Sequence, residues 1–199
     1  MTIVGITGVM GSGKSFISAL FANLGAIPYN TDNVSKVVQA KNQELKAKII
    51  EKFGEEYYDG KVINKKFAIP LLYAGTPESK ENAKWMTATV GEYVLQNLKD
   101  TKKTMEDNGI NGYILVESAI LFETGFDKYC DYIIGVKSTN PINATYTRDW
   151  TTKEEWLARM ASQLPDSEKK FDFMIGNDYT KAVEAQVELV HKQILEKIS

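Results

Sequence analysis

One run of residues specifies a chemistry by its order alone: Gly8-Val9-Met10-Gly11-Ser12-Gly13-Lys14-Ser15, in which four residues separate Gly8 from Gly13 and Lys and Ser then follow. Such glycines let the backbone wrap so that successive N–H groups point inward, and a helix that starts at once adds its positive end to the same cradle. The guest of such a cradle is phosphate. Lys14 would reach the β- and γ-phosphates of a nucleoside triphosphate, and the Ser15 hydroxyl would coordinate Mg²⁺. Gly8, Met10, Gly11, Ser12, Gly13, Lys14, Ser15 and Phe16 are therefore the expected nucleotide-binding residues. The competing reading of the same residues is a glycine-rich structural turn.

Other side chains could complete a phosphoryl transfer. Asp32 follows a second strand candidate, where a carboxylate can take a proton from an attacking hydroxyl; Asp is equally ordinary as a helix N-cap, and spacing leaves both open. Glu117 ends an apolar run, placed to hold a water of a Mg²⁺ shell or to stand as a surface carboxylate. Arginine is scarce: only Arg148 and Arg159 occur among the 24 basic residues, and both flank Thr152. A guanidinium grips phosphate in a bidentate way that an ammonium does not, so these two mark either a cover over the triphosphate or a helix surface. His191 is the single histidine and lies far from these motifs, which argues against histidine catalysis. Cys130 is the single cysteine and reads as a small packed side chain.

The elements that must position these groups follow from the pattern. Residues 2–7 are apolar and β-branched, the glycines follow, and Phe16, Ile17, Leu20 and Leu24 then fall at helical spacing until Gly25. Residues 26–29 are a second short strand candidate, and 113–116, 132–136 and 173–175 are short apolar runs, as expected of strands buried on both faces. Strands alternating with helices predict a parallel α/β sheet. Residues 43–107 differ, being mostly helical with breaks at Gly54, Asp59-Gly60 and Gly75-Thr76-Pro77; a helix capped by Thr76 is expected to run to about Leu98. A capping box at Thr152 and Glu155 predicts another helix, and Val183, Val187, Val190, Ile194 and Ile198 form the apolar stripe of a last one. Lys99, Lys102 and Lys103 read as a solvated basic face.

The 199 residues carry a formal charge of −2, so no nucleic-acid-binding footprint is expected. No apolar run reaches the roughly 18 residues of a membrane span, and the opening MTIVGITGVM lacks a positively charged leader. A cytoplasmic protein without disulfides is the expectation. A nucleotide switch of the GTP-binding kind would need an Asn-Lys-x-Asp motif, and Asn64-Lys65-Lys66-Phe67 lacks the Asp.

Together these stretches resemble one family over essentially the full length. ITGVMGSGKS, the YNTD segment, FGEEYYDGKVINKKF, VESAILFETGF, TRDWTTKEEWLARMASQ and SEKKFDFMIGND are similar, in order and spacing, to the dephospho-CoA kinases. The resemblance implies a P-loop NTPase-like parallel sheet flanked by helices, with a core from residues 1–40 and 110–199, a helical CoA-side insertion over 43–107 and a lid over about 140–165. It implies ATP-dependent phosphorylation of the ribose 3′-hydroxyl of dephospho-CoA, with Mg²⁺, ATP and dephospho-CoA as small-molecule partners. Lys14 and Ser15 take the triphosphate and metal roles, Asp32 that of general base, Arg148 that of lid arginine, and Asn177 a place near the adenine. Glu123 and Lys65 fall on the acceptor side. Ala88, Thr89, Ala119 and Ala144 depart from the family pattern, mostly at the acceptor pocket and lid. They leave open a nucleoside or nucleotide acceptor, or a catalytically dead regulator.

Overall fold

The computed structural model describes residues 1–138, 168–177 and 183–198. Arg148, Arg159, Ala144 and the helix expected from Thr152 lie outside the described residues. The chain divides into two units, Met1–Asn30 with Lys102–Ser199 and Thr31–Thr101.

The first unit is built on β1 (Thr2–Thr7), β2 (Ile27–Asn30), β5 (Tyr113–Glu117), β6 (Tyr132–Ser138) and β7 (Phe173–Asn177). They form one sheet in the order β2-β5-β1-β6-β7, with every pairing parallel. β1 is central, so its carboxyl end opens where the connections leave toward the two sides of the sheet, the place where such sheets bind ligands. Alternation along the strands sends Val4, Ile6, Tyr113, Leu115, Ile134, Val136 and Ile175 to one face. There they pack on α1 (Lys14–Asn23) and α6 (Glu184–Ile198). From the expected C-terminal stripe, Val183, Val187, Val190 and Ile194 are buried and Ile198 partly so. In α1 the anchors are Ile17 and Phe21, one turn apart, whereas Phe16 and Leu24 stay exposed. Phe16 lies about 100° around the helix from Ile17, and Leu24 follows the last helical residue, while Leu20 is partly buried against the core.

On the opposite face the turn after β5 covers Gly5, where a Cβ would sit 2.7 Å from Leu121 and 3.0 Å from Cys130 Sγ. Burial, with Asp127 and Asp131 nearby, pushes the Cys130 thiol up to about 12. It stays protonated and packed rather than reactive.

Two aspartates close the amino ends of the strands in the same way. Ile3 N–H donates to Asp131 Oδ2 at 2.8 Å and Ile133 N–H to Asp172 Oδ2 at 2.7 Å; Asp131 and Asp172 return their own N–H groups to Ile3 O and Ile133 O. Each aspartate immediately precedes a strand, and its carboxylate satisfies the amide of the neighbouring strand's second residue.

Buried Tyr113 places its hydroxyl 2.8 Å from His191 Nδ1. Burial raises the tyrosine pKa, so the neutral phenol remains the donor and the imidazole the acceptor; burial likewise lowers the His191 pKa below its ordinary 6.5. The sign follows: the unfolded chain binds a proton at His191 more readily than the folded one. This contribution to stability is complete above about pH 6.5 and declines as pH falls through the folded pKa. His191→Gln is expected to flatten the fall in Tm between pH 7 and pH 5; an identical pH slope in both proteins would assign that fall to other groups.

The second unit holds α2 (Thr31–Lys41), α3 (Gln43–Phe53), a 3₁₀ turn (Glu55–Tyr57), a hairpin of β3 (Tyr58–Asp59) and β4 (Val62–Ile63), and α4 (Lys65–Tyr73). It also holds most of α5 (Pro77–Asp107), which continues into the first unit. Phe53 stacks on Tyr57 and meets Trp85 edge-on, and Tyr58 O–H donates to Gln39 O at 3.0 Å. The expected break at Asp59-Gly60 is the turn of the hairpin. Thr76 caps α5 as expected, its Oγ1 accepting from Ser79 N–H at 3.1 Å. The helix nevertheless passes Leu98, because nothing from residue 99 to Asp107 breaks it, and it ends only before Asn108-Gly109, where Gly109 takes φ 70°.

Candidate active site

The loop after β1 folds as its composition requires. Ser12 N–H donates to Val9 O at 3.1 Å, turning the chain back on itself. At Gly8 a Cβ would stand 2.3 Å from Val136 O and 2.9 Å from Ser12 Oγ, so no other residue fits between β6 and the loop. Gly13 has φ 88° and ψ 17°, a left-handed conformation that costs an L-residue about 1–2 kcal/mol and glycine nothing. α1 then begins at Lys14, so the positive end of the helix faces the loop.

Lys14 is buried, and its Nζ donates to Gly8 O at 2.8 Å and Val9 O at 3.0 Å. The ammonium is thereby held over the loop rather than released to solvent. Ser15 Oγ donates to Glu117 Oε1 at 2.6 Å. The two residues are 102 apart in sequence, and the parallel β1–β5 register, Ile6 opposite Glu117, brings them together. A hydroxyl and a carboxylate in contact are hard oxygen donors. Few in number, they suit Mg²⁺, which keeps several waters and takes its remaining ligands from substrate phosphate. Among the described residues no group of three or more His, Cys, Asp or Glu could hold a metal by itself.

Ser12 is fully buried, and its Oγ has no hydrogen-bond partner among the described residues. Its carbonyl accepts from Asn177 Nδ2 at 2.9 Å, from the last residue of β7. Asn177 is thus buried against the loop, 165 residues away in sequence. Nothing in the local sequence of either segment announces this contact; a polar residue ending an apolar strand was the available signal. Met10 is half-buried within the loop, and Phe16 is exposed on the first turn of α1.

The remaining predicted residues are more dispersed. Glu123 lies in the turn after β5, with its carboxylate 3.9 Å from Lys169 Nζ, a partner that sequence reading missed. Nearby, Phe122 meets Phe171 edge-on at 5.6 Å. In the second unit Asp32 is exposed in the first turn of α2, and Lys65 is exposed at the start of α4. Ala88 and Thr89 lie within α5, and Ala119 lies in the turn after β5.

Known proteins agree with this architecture. Among solved structures, a Thermus thermophilus protein matches with TM-score 0.77 at 24% identity, covering 100% of this chain and 98% of its own. A dephospho-CoA kinase from Campylobacter jejuni matches with TM-score 0.65 at 20% identity, covering 98% of each chain. These establish the fold. In sequence, a dephospho-CoA kinase of Bacteroides fragilis strain YCH46 is 31% identical over 188 residues, covering 92% of this chain and 88% of the relative. The family model for dephospho-CoA kinase matches residues 2–182. With a kinase loop built at the head of β1 and a family match along nearly its whole length, the chain belongs to the dephospho-CoA kinase family.

Proposed function

We propose that this chain transfers the γ-phosphoryl group of ATP to the ribose 3′-hydroxyl of dephospho-CoA, giving CoA and ADP. The observation that carries the proposal is the assembled loop, with Lys14 held over Gly8 and Val9 and Ser15 set against Glu117, in a chain of this family. The loop amides and the start of α1 bind the triphosphate, and Lys14 neutralises charge on its β- and γ-oxygens. Ser15 and Glu117 would hold Mg²⁺, the first directly and the second through a water of its shell; the ion supplies further neutralisation of the phosphate charge. Asp32 accepts the proton of the 3′-hydroxyl as that oxygen attacks the γ-phosphorus, and the bond to the β–γ bridging oxygen breaks to release ADP. Arg148 is assigned to the lid over the phosphates, Asn177 to the nucleotide side, and Lys65 and Glu123 to the acceptor side. Residues 43–107 would serve the acceptor and about 140–165 the lid. A cytoplasmic setting accords with this reading; no described helix is long and apolar enough to cross a membrane.

The test is a coupled assay of ADP release with Mg-ATP, offering dephospho-CoA beside a panel of nucleosides and nucleotides. Rapid release with dephospho-CoA is expected. Turnover of a nucleotide with dephospho-CoA left untouched would overturn the assignment of acceptor.

A further inference from the structure

The loop is braced from behind by a part of the chain with no obvious share in the chemistry. Among the described residues β7 is an edge strand, with β6 as its one neighbouring strand. At Gly176 the other side is completed by a side chain: Gly176 N–H donates to Gln186 Oε1 at 3.0 Å, and Gln186 Nε2 donates to Gly176 O at 3.0 Å. The carboxamide of Gln186, in the first turn of α6, thus takes the place of a strand peptide. The next residue, Asn177, is paired in register with Ser138 of β6 and sends its own carboxamide to Ser12 O. A trans peptide points its C=O and the following N–H in opposite directions, and the chain has no cis peptide among the described residues. Holding Ser12 O toward Asn177 therefore turns Gly13 N–H away from Asn177. Gly13, left-handed and free of a Cβ, is the residue whose peptide would otherwise flip most readily.

We infer that Gln186 and Asn177 are positioning residues for phosphate. Gln186 fixes the end of β7, Asn177 fixes the Ser12–Gly13 peptide, and that peptide presents its N–H to the triphosphate. The inference rests on the reading of this loop as the triphosphate cradle. It adds a role for Gln186, and for Asn177 a role that does not require any contact with the base. In Asn177→Asp an acceptor would face the Ser12 carbonyl in place of a donor, with little change of shape. Gln186→Ala would remove both bonds to Gly176 from a half-buried surface site.

The experiment compares binding of Mg-tripolyphosphate, which has no base, with binding of Mg-ATP, by calorimetry on the wild type, Asn177→Asp and Gln186→Ala, with Tm measured alongside. If the relay holds, Asn177→Asp weakens both ligands in parallel by on the order of tenfold, the scale of one lost buried hydrogen bond. Gln186→Ala weakens both by several-fold, and the KM for dephospho-CoA stays unchanged. Loss of ATP affinity with tripolyphosphate affinity intact would make Asn177 a base contact and overturn the inference, as would wild-type binding of both ligands by the two variants. Should Asn177→Asp fail to fold, the same two outcomes are read from Gln186→Ala. Failure of the wild type itself to bind tripolyphosphate would instead remove the cradle reading on which the relay depends.

Discussion

Lys14→Ala is expected to reduce kcat by on the order of a hundred- to a thousand-fold, corresponding to about 3–4 kcal/mol of lost transition-state stabilisation. Charge accumulates on the phosphoryl oxygens as the γ-phosphorus moves between donor and acceptor, and an ammonium fixed in advance needs no reorganisation to meet it. The structure shows that fixation: Lys14 is buried at the start of α1 and already anchored on Gly8 O and Val9 O. The variant also removes the donor shared by those two carbonyls, so part of the loss should appear as weaker ATP binding. Arginine is a poor replacement, because its planar fork is wider than the compact ammonium that the two carbonyls accept. The check is steady-state kinetics with Mg-ATP and dephospho-CoA, with circular dichroism to verify the fold. Turnover within a few-fold of wild type would remove the role given to Lys14.

The second large effect is expected at Asp32. Asp32→Asn should lower kcat by about 10²–10⁴-fold, the usual contribution of a positioned general base, while ATP affinity stays near wild type. Asn keeps the shape of the side chain and gives up only the small attraction of a first-turn carboxylate to the helix's positive end, so α2 should be little affected. The side chain is exposed in that turn, which leaves its carboxylate accessible to a substrate hydroxyl. Calorimetry with ATP and single-turnover transfer to dephospho-CoA separate the outcomes. A marked loss of ATP affinity with transfer largely intact would make Asp32 a nucleotide or metal residue rather than the base.

The loop and the order of the main elements were readable from sequence because their causes are local. Gly8, Gly13, Lys14 and Ser15 are near neighbours in the chain, and both the left-handed turn and the helix start depend on residue types within a few positions. The central strands were readable for a similar reason, since β1, β5 and β6 are largely buried on both faces and show as continuous apolar runs; β2 and β7, at the sheet's edges, are only partly buried, and Met174 of β7 is exposed, contrary to the expectation for residues 173–175. Tertiary structure decided what those runs place side by side. Glu117 meets Ser15 because β5 lies next to β1 in one register, and a shift by one residue would have turned its carboxylate to the other face. Asn177 reaches Ser12 because β7 closes the far edge of the same sheet through β6, and Lys169 reaches Glu123 across 46 positions of sequence. Tyr113 and His191, each ordinary in its own segment, become a hydrogen-bonded pair only where α6 packs on the sheet. Residue types and spacing therefore settled which groups could do the chemistry. Strand order and register settled which of them meet, since a hydrogen bond needs its partners within about 3 Å, and only the folded sheet brings distant residues that close.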